Sequence, residues 1–183
     1  MLNLIPSVKV LEIKDGFFEK KGVFFDGVIS DNRLLSPISK LPKDKNGADL
    51  RIVISEKDGE GYELFIEKES IKITADSSAG AFYALQTLRQ IFTHDRVPCL
   101  YIKDCPDFKY RGFYHDVTRG KVPRLDTLKA MIDNMAYYKL NALQLYVEHV
   151  FEFKEYKDLN ERLGYLTKEE IEELDRYCYE NFI

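Results

Sequence analysis

Two apolar strands separated by one amphipathic helix dominate the second half of this 183-residue chain. The first strand lies within Tyr110–Arg119, the helix spans Leu125–Tyr138, and the second strand is Asn141–Val147. Polar and ionisable side chains stand at the carboxyl ends of both strands. A strand, a crossover helix and a parallel strand form the repeating unit of a (β/α)8 barrel. The pattern therefore predicts a parallel βαβ unit whose functional side chains lie at the carboxyl ends of its strands.

The predicted barrel is incomplete. A (β/α)8 barrel takes about 250 residues, and the part of the chain from about Tyr110 to Ile183 is much shorter than that. We therefore expect the first strands and helices of a barrel, which leave strand edges and apolar faces exposed. Self-association into a homo-oligomer, or a rearrangement of this region, is expected to cover them.

The residues before this unit predict a small α+β domain. A hairpin is expected at Tyr62–Glu67 and Ser70–Ala75, followed by a helix that the oxygens of Asp76–Ser78 cap. Apolar side chains recur along that helix at helical spacing, at Ala81, Leu85, Leu88 and Phe92. Further strands are predicted at Val8–Ile13, Val23–Phe25, Leu50–Ile54 and Pro98–Ile102. We expect an α/β fold class, with a helix-covered sheet as domain 1–103 and the incomplete barrel as domain 104–183.

Turn and capping residues predict the connections and the last helix. Asp15-Gly16 and Asp26-Gly27 predict turns, and Ser36–Ala48, which contains two prolines, predicts a loop. Residues 152–164 predict a long polar and aromatic loop. Thr167–Glu170 has the pattern of a capping box, so a helix is expected to begin there.

Composition and charge argue against several classes of function. The formal net charge is −4, whereas nucleic-acid-binding domains carry basic patches. No run of about 18 apolar residues occurs, so neither a transmembrane helix nor a membrane partner is expected. Residues 1–6 lack the basic start and apolar stretch of a signal peptide, which predicts a cytoplasmic protein. The three cysteines are not spaced like zinc ligands, and His149 has no second histidine at ligand spacing, so no metal or cofactor is expected.

Ordered motifs in both halves resemble glycoside hydrolase family 20, the β-N-acetylhexosaminidases. The matching segments of the second half include Asp104–Pro106, Tyr110–Gly112, Asp116–Arg119, Val122–Pro123, Ile132–Lys139 and Asn141. Segments similar to the small domain that precedes the barrel in that family are Gly61–Leu64, Ile73–Ala75, Ala79–Tyr83 and Gln86–Leu88. The resemblance covers roughly residues 48–183. It implies an accessory domain followed by the start of a catalytic barrel.

The resemblance implies hydrolysis of terminal N-acetylhexosamine residues of glycans. In that family the 2-acetamido oxygen of the substrate attacks the anomeric carbon, an exception to the usual two-carboxylate scheme. An adjacent Asp-Glu pair supplies a charged carboxylate that polarises the amide and a general acid with a raised pKa. This sequence contains no Asp-Glu dipeptide. No catalytic residue is therefore assigned, and the chain by itself is expected to be inactive.

The resemblance also implies site residues. Arg111 matches the family arginine that donates hydrogen bonds to sugar hydroxyls, a task suited to the fixed fork of a guanidinium. A structural ion pair is the alternative for Arg111, which starts its strand, at the end opposite to the ligand-binding end of a barrel. Glu148 and His149 lie where the family has residues that contact hydroxyls, although a solvent-facing loop pair explains them equally well. Asp116 and Arg119 are interpreted as supports that brace one another or the loop.

A function of a different class stays open, that of a non-catalytic carbohydrate-binding or protein-interaction module. Several aromatic residues near the second strand are able to stack on sugar rings, although packing within the loop is the simpler explanation for Tyr146, Phe151, Phe153 and Tyr156. Glycan binding without hydrolysis would distinguish such a module from an enzyme.

Overall fold

A computed structural model describes residues 2–156 and 164–183 of the chain. The chain forms two compact units, Met1–Asp107 and Phe108–Ile183, which are called unit 1 and unit 2. The sequence places its domain boundary a few residues earlier, between residues 103 and 104. Residues 157–163, in the middle of the predicted loop at residues 152–164, lie outside the described part of the chain.

In the described residues of unit 1, six strands form one mixed sheet in the order β1-β6-β4-β5-β3-β2. The strands are β1 (Val10–Phe17), β2 (Val23–Phe24), β3 (Ala48–Ile54), β4 (Tyr62–Ile66), β5 (Ser70–Ala75) and β6 (Pro98–Asp104). Strand β4 is antiparallel to both β5 and β6, whereas β3 and β5 are parallel. The predicted hairpin of β4 and β5 is therefore confirmed.

Helix α2 (Ser78–Ile91) covers one face of this sheet. The Ser77 Oγ accepts the N–H of Gly80 at 3.3 Å, which confirms the predicted cap. The helix buries Phe82, Leu85 and Leu88 almost completely in the core of unit 1. A Cβ atom on residue 80 would lie only 2.6 Å from the carbonyl oxygen of Gly61, the residue before β4. Glycine therefore permits the close approach of α2 to the sheet.

The predicted turn at Asp15-Gly16 is wrong. Both residues lie inside β1, in a stretch where the pairing between β1 and β6 shifts register. Gly16 has a φ of +99°, a conformation that side-chain-bearing residues rarely adopt. An aspartate–glycine pair is a turn signal in isolation, but here its glycine serves an irregularity within a long edge strand.

The predicted loop at Ser36–Ala48 is wrong in its first residues, because helix α1 (Leu35–Ser39) extends into it. A short 3-10 turn (Asn32–Leu34) precedes this helix. The apolar residues of the region recur at helical spacing and are buried, namely Leu34, Ile38 and Leu41. The burial of this apolar stripe outweighs the turn signal of the prolines, one of which fits the first turn of the helix.

Unit 2 begins with the predicted βαβ unit. Its elements are β7 (Gly112–Asp116), α3 (Leu125–Tyr137) and β8 (Ala142–Tyr146). Strands β7 and β8 are parallel, with Gly112 opposite Ala142 and Asp116 opposite Tyr146. The predicted parallel pair is confirmed, and the carboxyl ends of the two strands lie side by side.

Helix α4 (Lys168–Glu180) completes unit 2 and begins with the predicted capping box. The Thr167 Oγ1 accepts the N–H of Glu170 at 3.1 Å, and the Glu170 Oε2 accepts the N–H of Thr167 at 2.9 Å. A buried apolar cluster holds the strands and helices of the unit together, formed by Val117, Leu128, Ile132, Val150, Leu166 and Leu174. Leu143 and Leu145 of β8 pack against this cluster. The opposite face of the two strands carries Tyr114 and Asp116.

Candidate functional site

The turn after β7 is built around the carboxylate of Asp116. The Asp116 Oδ1 accepts the N–H of Thr118 at 2.9 Å and the N–H of Arg119 at 3.2 Å. The second oxygen, Oδ2, accepts a hydrogen bond from the Arg119 Nη1 at 2.9 Å. An aspartate whose oxygens bind the next backbone amides is a common way to close a turn. Asp116 thus fixes both the loop and the guanidinium of Arg119.

The same contacts keep Asp116 charged. The hydrogen bond from the Thr118 amide lowers the pKa of the Asp116 carboxyl most, and the amide and positive charge of Arg119 lower it further. The Arg119 guanidinium therefore has a counter-ion at neutral pH. Its side chain is nevertheless 70% exposed, so its remaining donors point into accessible space.

The end of β8 supplies the other half of the site. The Tyr146 hydroxyl donates to the Glu148 Oε1 at 2.5 Å, a contact that raises the pKa of the Tyr146 phenol. The Glu148 carboxylate also lies 3.5 Å from the Arg119 Nη2, and the Arg119 guanidinium lies 5.1 Å from the centre of the Tyr146 ring. We call Asp116, Arg119, Tyr146 and Glu148 the carboxyl-end cluster.

Thr118 joins the two strand ends. Its hydroxyl donates to the Tyr146 carbonyl at 3.3 Å and accepts the N–H of Glu148 at 3.0 Å. The backbone N–H of Val117 donates to the same carbonyl at 3.3 Å. These contacts fix the distance between the loop after β7 and the loop after β8. The carboxyl-end cluster is therefore held by the backbone of both strands.

The cluster offers the groups that a polyhydroxylated ligand needs. The exposed fractions of the Arg119, Glu148 and Asp116 side chains are 70%, 45% and 29%. A guanidinium donates hydrogen bonds in a fixed plane, and a carboxylate accepts them. Tyr146 adds an aromatic ring beside these charges. The arrangement is able to bind vicinal hydroxyl groups through one donor and one acceptor.

His149 follows the cluster directly and is half-buried. The next residue, Val150, belongs to the buried apolar cluster of unit 2. This anchor restricts the backbone of Glu148 and His149 to the vicinity of the end of β8. The sequence-based assignment of His149 as a sugar ligand stays a prediction.

Arg111 lies at the opposite, amino-terminal end of β7. Its Nε donates to the carbonyl of Lys139 at 2.9 Å, and its Nη1 donates to the carbonyl of Phe108 at 2.8 Å. The Arg111 backbone N–H donates to the Asn141 Oδ1 at 2.8 Å, and the Arg111 carbonyl accepts the backbone N–H of Asn141 at 2.9 Å. Arg111 and Asn141 thus connect the starts of the two strands, which we call the amino-end clamp.

The structure therefore separates the predicted site residues into two groups. Asp116, Arg119 and Glu148 come together at the carboxyl ends of the strands, where Arg119 donates a hydrogen bond to Asp116. The role of Asp116 and Arg119 as supports of a site stays a prediction. Arg111 contacts backbone carbonyls at the other end of the unit. Sequence reasoning missed Thr118, although its position two residues after an aspartate at a strand end is a signal for such a turn.

The described residues contain no group of three or more histidine, cysteine, aspartate or glutamate side chains placed to hold a metal ion. Within residues 2–156 and 164–183, the structure also contains no helix with both the length and the apolar composition needed to cross a membrane. Cys99 is buried, Cys105 is exposed and Cys178 is half-buried, and all three are free thiols. Burial raises the pKa of the Cys178 thiol to about 11.

Two family profiles match the sequence. The profile described as glycosyl hydrolase family 20, domain 2, matches residues 24–105, and the profile of the catalytic domain of the same family matches residues 108–183. The chain is similar to a β-hexosaminidase of Porphyromonas gingivalis, with 29% identity over 229 residues that cover 100% of this chain and 29% of that protein. It is also similar to the N,N'-diacetylchitobiase of Vibrio harveyi, with 42% identity over 89 residues, 47% of this chain and 10% of that protein.

Solved structures show the same fold. A chitobiase of Flavobacterium johnsoniae matches with a TM-score of 0.82 and 27% identity, over 100% of this chain and 33% of that one. An exo-β-N-acetylglucosaminidase of Vibrio harveyi, solved in complex with N-acetylglucosamine, matches with a TM-score of 0.80 and 24% identity, over 98% of this chain and 35% of that one. The chain thus spans less than a third of the length of the curated relatives named above.

Proposed function

Because the chain belongs to glycoside hydrolase family 20 and contains its domain 2 and the start of its catalytic domain, we propose that both units serve a β-N-acetylhexosaminidase. Such an enzyme would hydrolyse terminal N-acetylhexosamine residues with retention, using the acetamido group of the substrate as the nucleophile. The β-hexosaminidases among the relatives support this substrate class, as does the relative solved with N-acetylglucosamine.

The carboxyl-end cluster is the observation that carries the proposal. Parallel strands that alternate with helices bind their ligands at the carboxyl ends, and this cluster lies at the ends of β7 and β8. We assign the sugar hydroxyls to the guanidinium of Arg119 and the carboxylate of Glu148, with Asp116 holding the arginine in place. His149 is proposed to add a further hydrogen-bonding group.

The sugar contact of Arg111, suggested by the resemblance, stays a prediction. The hydrogen bonds of its guanidinium to the Lys139 and Phe108 carbonyls favour a bracing role instead. The self-association expected of an open barrel also stays a prediction. This expectation of self-association rests on the exposure of two aromatic side chains of β7, since Phe113 is 43% and Tyr114 is 56% exposed.

The purified chain is expected to show no hydrolysis of a chromogenic N-acetylglucosaminide. The physical reason is that substrate-assisted hydrolysis requires a charged carboxylate and a protonated one side by side, and this sequence contains no Asp-Glu dipeptide. Release of the chromophore would be followed over hours at neutral pH. Turnover above background that copurifies with the chain and scales with its concentration would contradict the expected inactivity of the chain by itself.

Arg119→Ala is expected to weaken the binding of N-acetylglucosamine by the chain at least about tenfold, because it removes the charged donor of the cluster. Binding would be measured by calorimetry or by shifts of backbone amide resonances in unit 2. Arg124→Ala is the matched control, since Arg124 is also an exposed arginine of unit 2 paired with an aspartate. Equal affinities of the Arg119→Ala variant and the unmodified chain would refute the assignment.

A further inference from the structure

The sheet of unit 1 has a second face, opposite to α2, that carries a row of large polar and aromatic side chains. Register places Tyr101 of β6 opposite Phe65 of β4, and Phe65 opposite Lys72 of β5. Lys72 is in turn opposite Arg51 of β3. Because side chains alternate between faces along a strand, these four residues project from the same side of the sheet. Their neighbours in sequence, such as Leu64 and Ile71, are buried on the α2 side.

An aromatic pair forms the centre of this row. The ring centroids of Phe65 and Tyr101 lie 4.7 Å apart, with the ring planes inclined at 39°. The ammonium of Lys14 lies 5.8 Å from the Phe65 centroid and 5.7 Å from the Tyr101 centroid. In the strand order, β1 and β6 lie on one side of β4, and β5 and β3 lie on the other. Lys14 and Tyr101 therefore both belong to strands on the β6 side of Phe65.

A surface hollow of about 410 Å³ lies on the other side of Phe65. Its lining includes six side chains of the open face, Asp49, Arg51, Phe65, Glu67, Ser70 and Lys72. The Arg51 Nε donates to the Asp49 Oδ2 at 2.7 Å, and the Ser70 Oγ donates to the Glu67 Oε2 at 2.8 Å. These contacts orient the polar groups along the rim of the hollow. Its volume is within the range of small-ligand sites, about 300–1,000 Å³.

The charges around the hollow balance. Asp49 and Glu67 contribute two negative charges, and Arg51 and Lys72 contribute two positive charges. A phosphate or another anion would meet two carboxylates, and a cation would meet two basic groups. A neutral ligand with many hydroxyl groups meets matched donors and acceptors instead. Charge balance therefore selects a neutral polyhydroxylated compound.

We propose that this hollow is a binding site for a neutral pyranose sugar, with the ring of the sugar stacked on Phe65. The C–H groups on one face of a pyranose are slightly positive and suit the negative face of an aromatic ring. The Lys14 ammonium, 5.8 Å from the centroid of the Phe65 ring, is attracted to the ring for the same electrostatic reason. The hydroxyl groups at the rim of the sugar then reach the Asp49–Arg51 pair and Lys72. The site lies wholly in unit 1 and goes beyond the hydrolytic role proposed for the carboxyl-end cluster, which belongs to unit 2.

The test uses the full chain and the β-1,4-linked trimer of N-acetylglucosamine as the probe. Backbone amide resonances of β3, β4 and β5 are expected to shift on titration, with a dissociation constant on the order of 1 mM. Phe65→Leu keeps an apolar side chain but removes the aromatic face, so it is expected to weaken these shifts at least about tenfold. Phe65→Tyr is expected to bind within about threefold of the unmodified chain, because the ring remains.

Controls separate this site from the carboxyl-end cluster. Phe24→Leu changes another exposed phenylalanine of the same sheet and is expected to leave the unit 1 shifts unchanged. Arg119→Ala is expected to affect shifts in unit 2 alone. Shifts confined to unit 2, or equal affinity of the Phe65→Leu and unmodified chains for the probe at unit 1, would overturn the proposal. A further outcome would also overturn the proposal: no sugar-dependent shifts, together with a lower molecular mass in solution for Phe65→Leu than for the unmodified chain. That outcome would assign the face to contact with a second copy of the chain.

Discussion

Arg111→Ala is expected to lower the free energy of unfolding of the chain by about 2–4 kcal/mol. The Arg111 guanidinium donates to the carbonyls of Lys139 and Phe108 at 2.9 and 2.8 Å. A hydrogen bond from a charged donor contributes about 1.5–3 kcal/mol, and neighbouring bonds are not additive. Lys139 is buried and has a φ of +63°, a conformation that a residue with a side chain rarely adopts. The arginine thus stabilises a strained backbone position just before β8.

Urea unfolding of the variants would test this bracing role. Arg119→Ala is the matched control, because Arg119 lies eight residues later at the other end of β7 and its ion pair is exposed. Exposed pairs contribute about 0–1 kcal/mol, so a small loss is expected there. Arg111→Lys is expected to recover only part of the stability, since an ammonium cannot reproduce the fork of a guanidinium. A destabilisation below about 0.5 kcal/mol in Arg111→Ala, combined with loss of sugar binding, would instead support a direct sugar contact.

The comparison of Arg111 with Arg119 illustrates what the sequence could predict. Periodicity predicts the two strands, the helix between them and their parallel pairing, because apolar spacing and a crossover of this length leave few alternatives. It also predicts which end of each strand binds ligands. It does not reveal that the Arg111 side chain binds the carbonyl of a residue 28 positions later. That contact depends on tertiary geometry at the end of α3, which no local pattern encodes.

The first half of the chain shows a similar division. The hairpin, the capped helix α2 and the central strands follow from local patterns, as expected when turn residues and apolar periodicity agree. The predictions fail where two local signals conflict. At Asp15-Gly16 a turn signal lies within a strand pattern, and the two residues form part of β1 because this strand pairs with β6. In helix α1 the prolines suggest a loop, but burial of Ile38 stabilises a helix.

Three residues of the carboxyl-end cluster and the pairing of Asp116 with Arg119 were predictable, but the connections through Thr118 were not. Strand ends with ionisable groups mark Asp116, Arg119 and Glu148 from the sequence alone. The hydrogen bonds between the Thr118 hydroxyl and the end of β8 depend on the register of β7 against β8, in which Gly112 lies opposite Ala142. A shift of one residue would turn each side chain to the other face. The Arg111–Asn141 contacts of the amino-end clamp directly precede the first pair of this register.

Tyr62→Phe is expected to destabilise the chain by about 1–3 kcal/mol at pH 7 and to weaken its dependence on alkaline pH. Tyr62 is buried, and its hydroxyl lies 2.7 Å from the Thr87 Oγ1 and donates to the Asp104 Oδ2 at 2.9 Å. The variant leaves these partners without the phenol that joins β4, α2 and β6. Buried polar groups that lose a partner cost about 1–3 kcal/mol.

The pH dependence follows from the direction of the pKa shift. Burial raises the pKa of the Tyr62 phenol strongly, and the nearby carboxylate of Asp104 raises it further. In the unfolded chain the phenol ionises near its ordinary pKa of about 10, whereas the folded chain keeps the proton. The contribution of Tyr62 to stability is therefore fully present below about pH 10 and is lost above it, by up to about 1.4 kcal/mol per pH unit.

Unfolding free energies measured between pH 7 and pH 11 would test whether the contribution of Tyr62 to stability is lost as the pH rises. The difference between the unmodified chain and the Tyr62→Phe variant is expected to shrink above about pH 10, because the variant has no phenol to ionise at this position. Other tyrosines contribute equally to both proteins, such as Tyr177, whose pKa burial raises to about 12. Tyr110→Phe changes a tyrosine that is 77% exposed and serves as the control. Parallel pH curves for the Tyr62→Phe variant and the unmodified chain would mean that Tyr62 ionises with similar ease in the folded and unfolded states, so that burial between α2 and the sheet does not hold its proton.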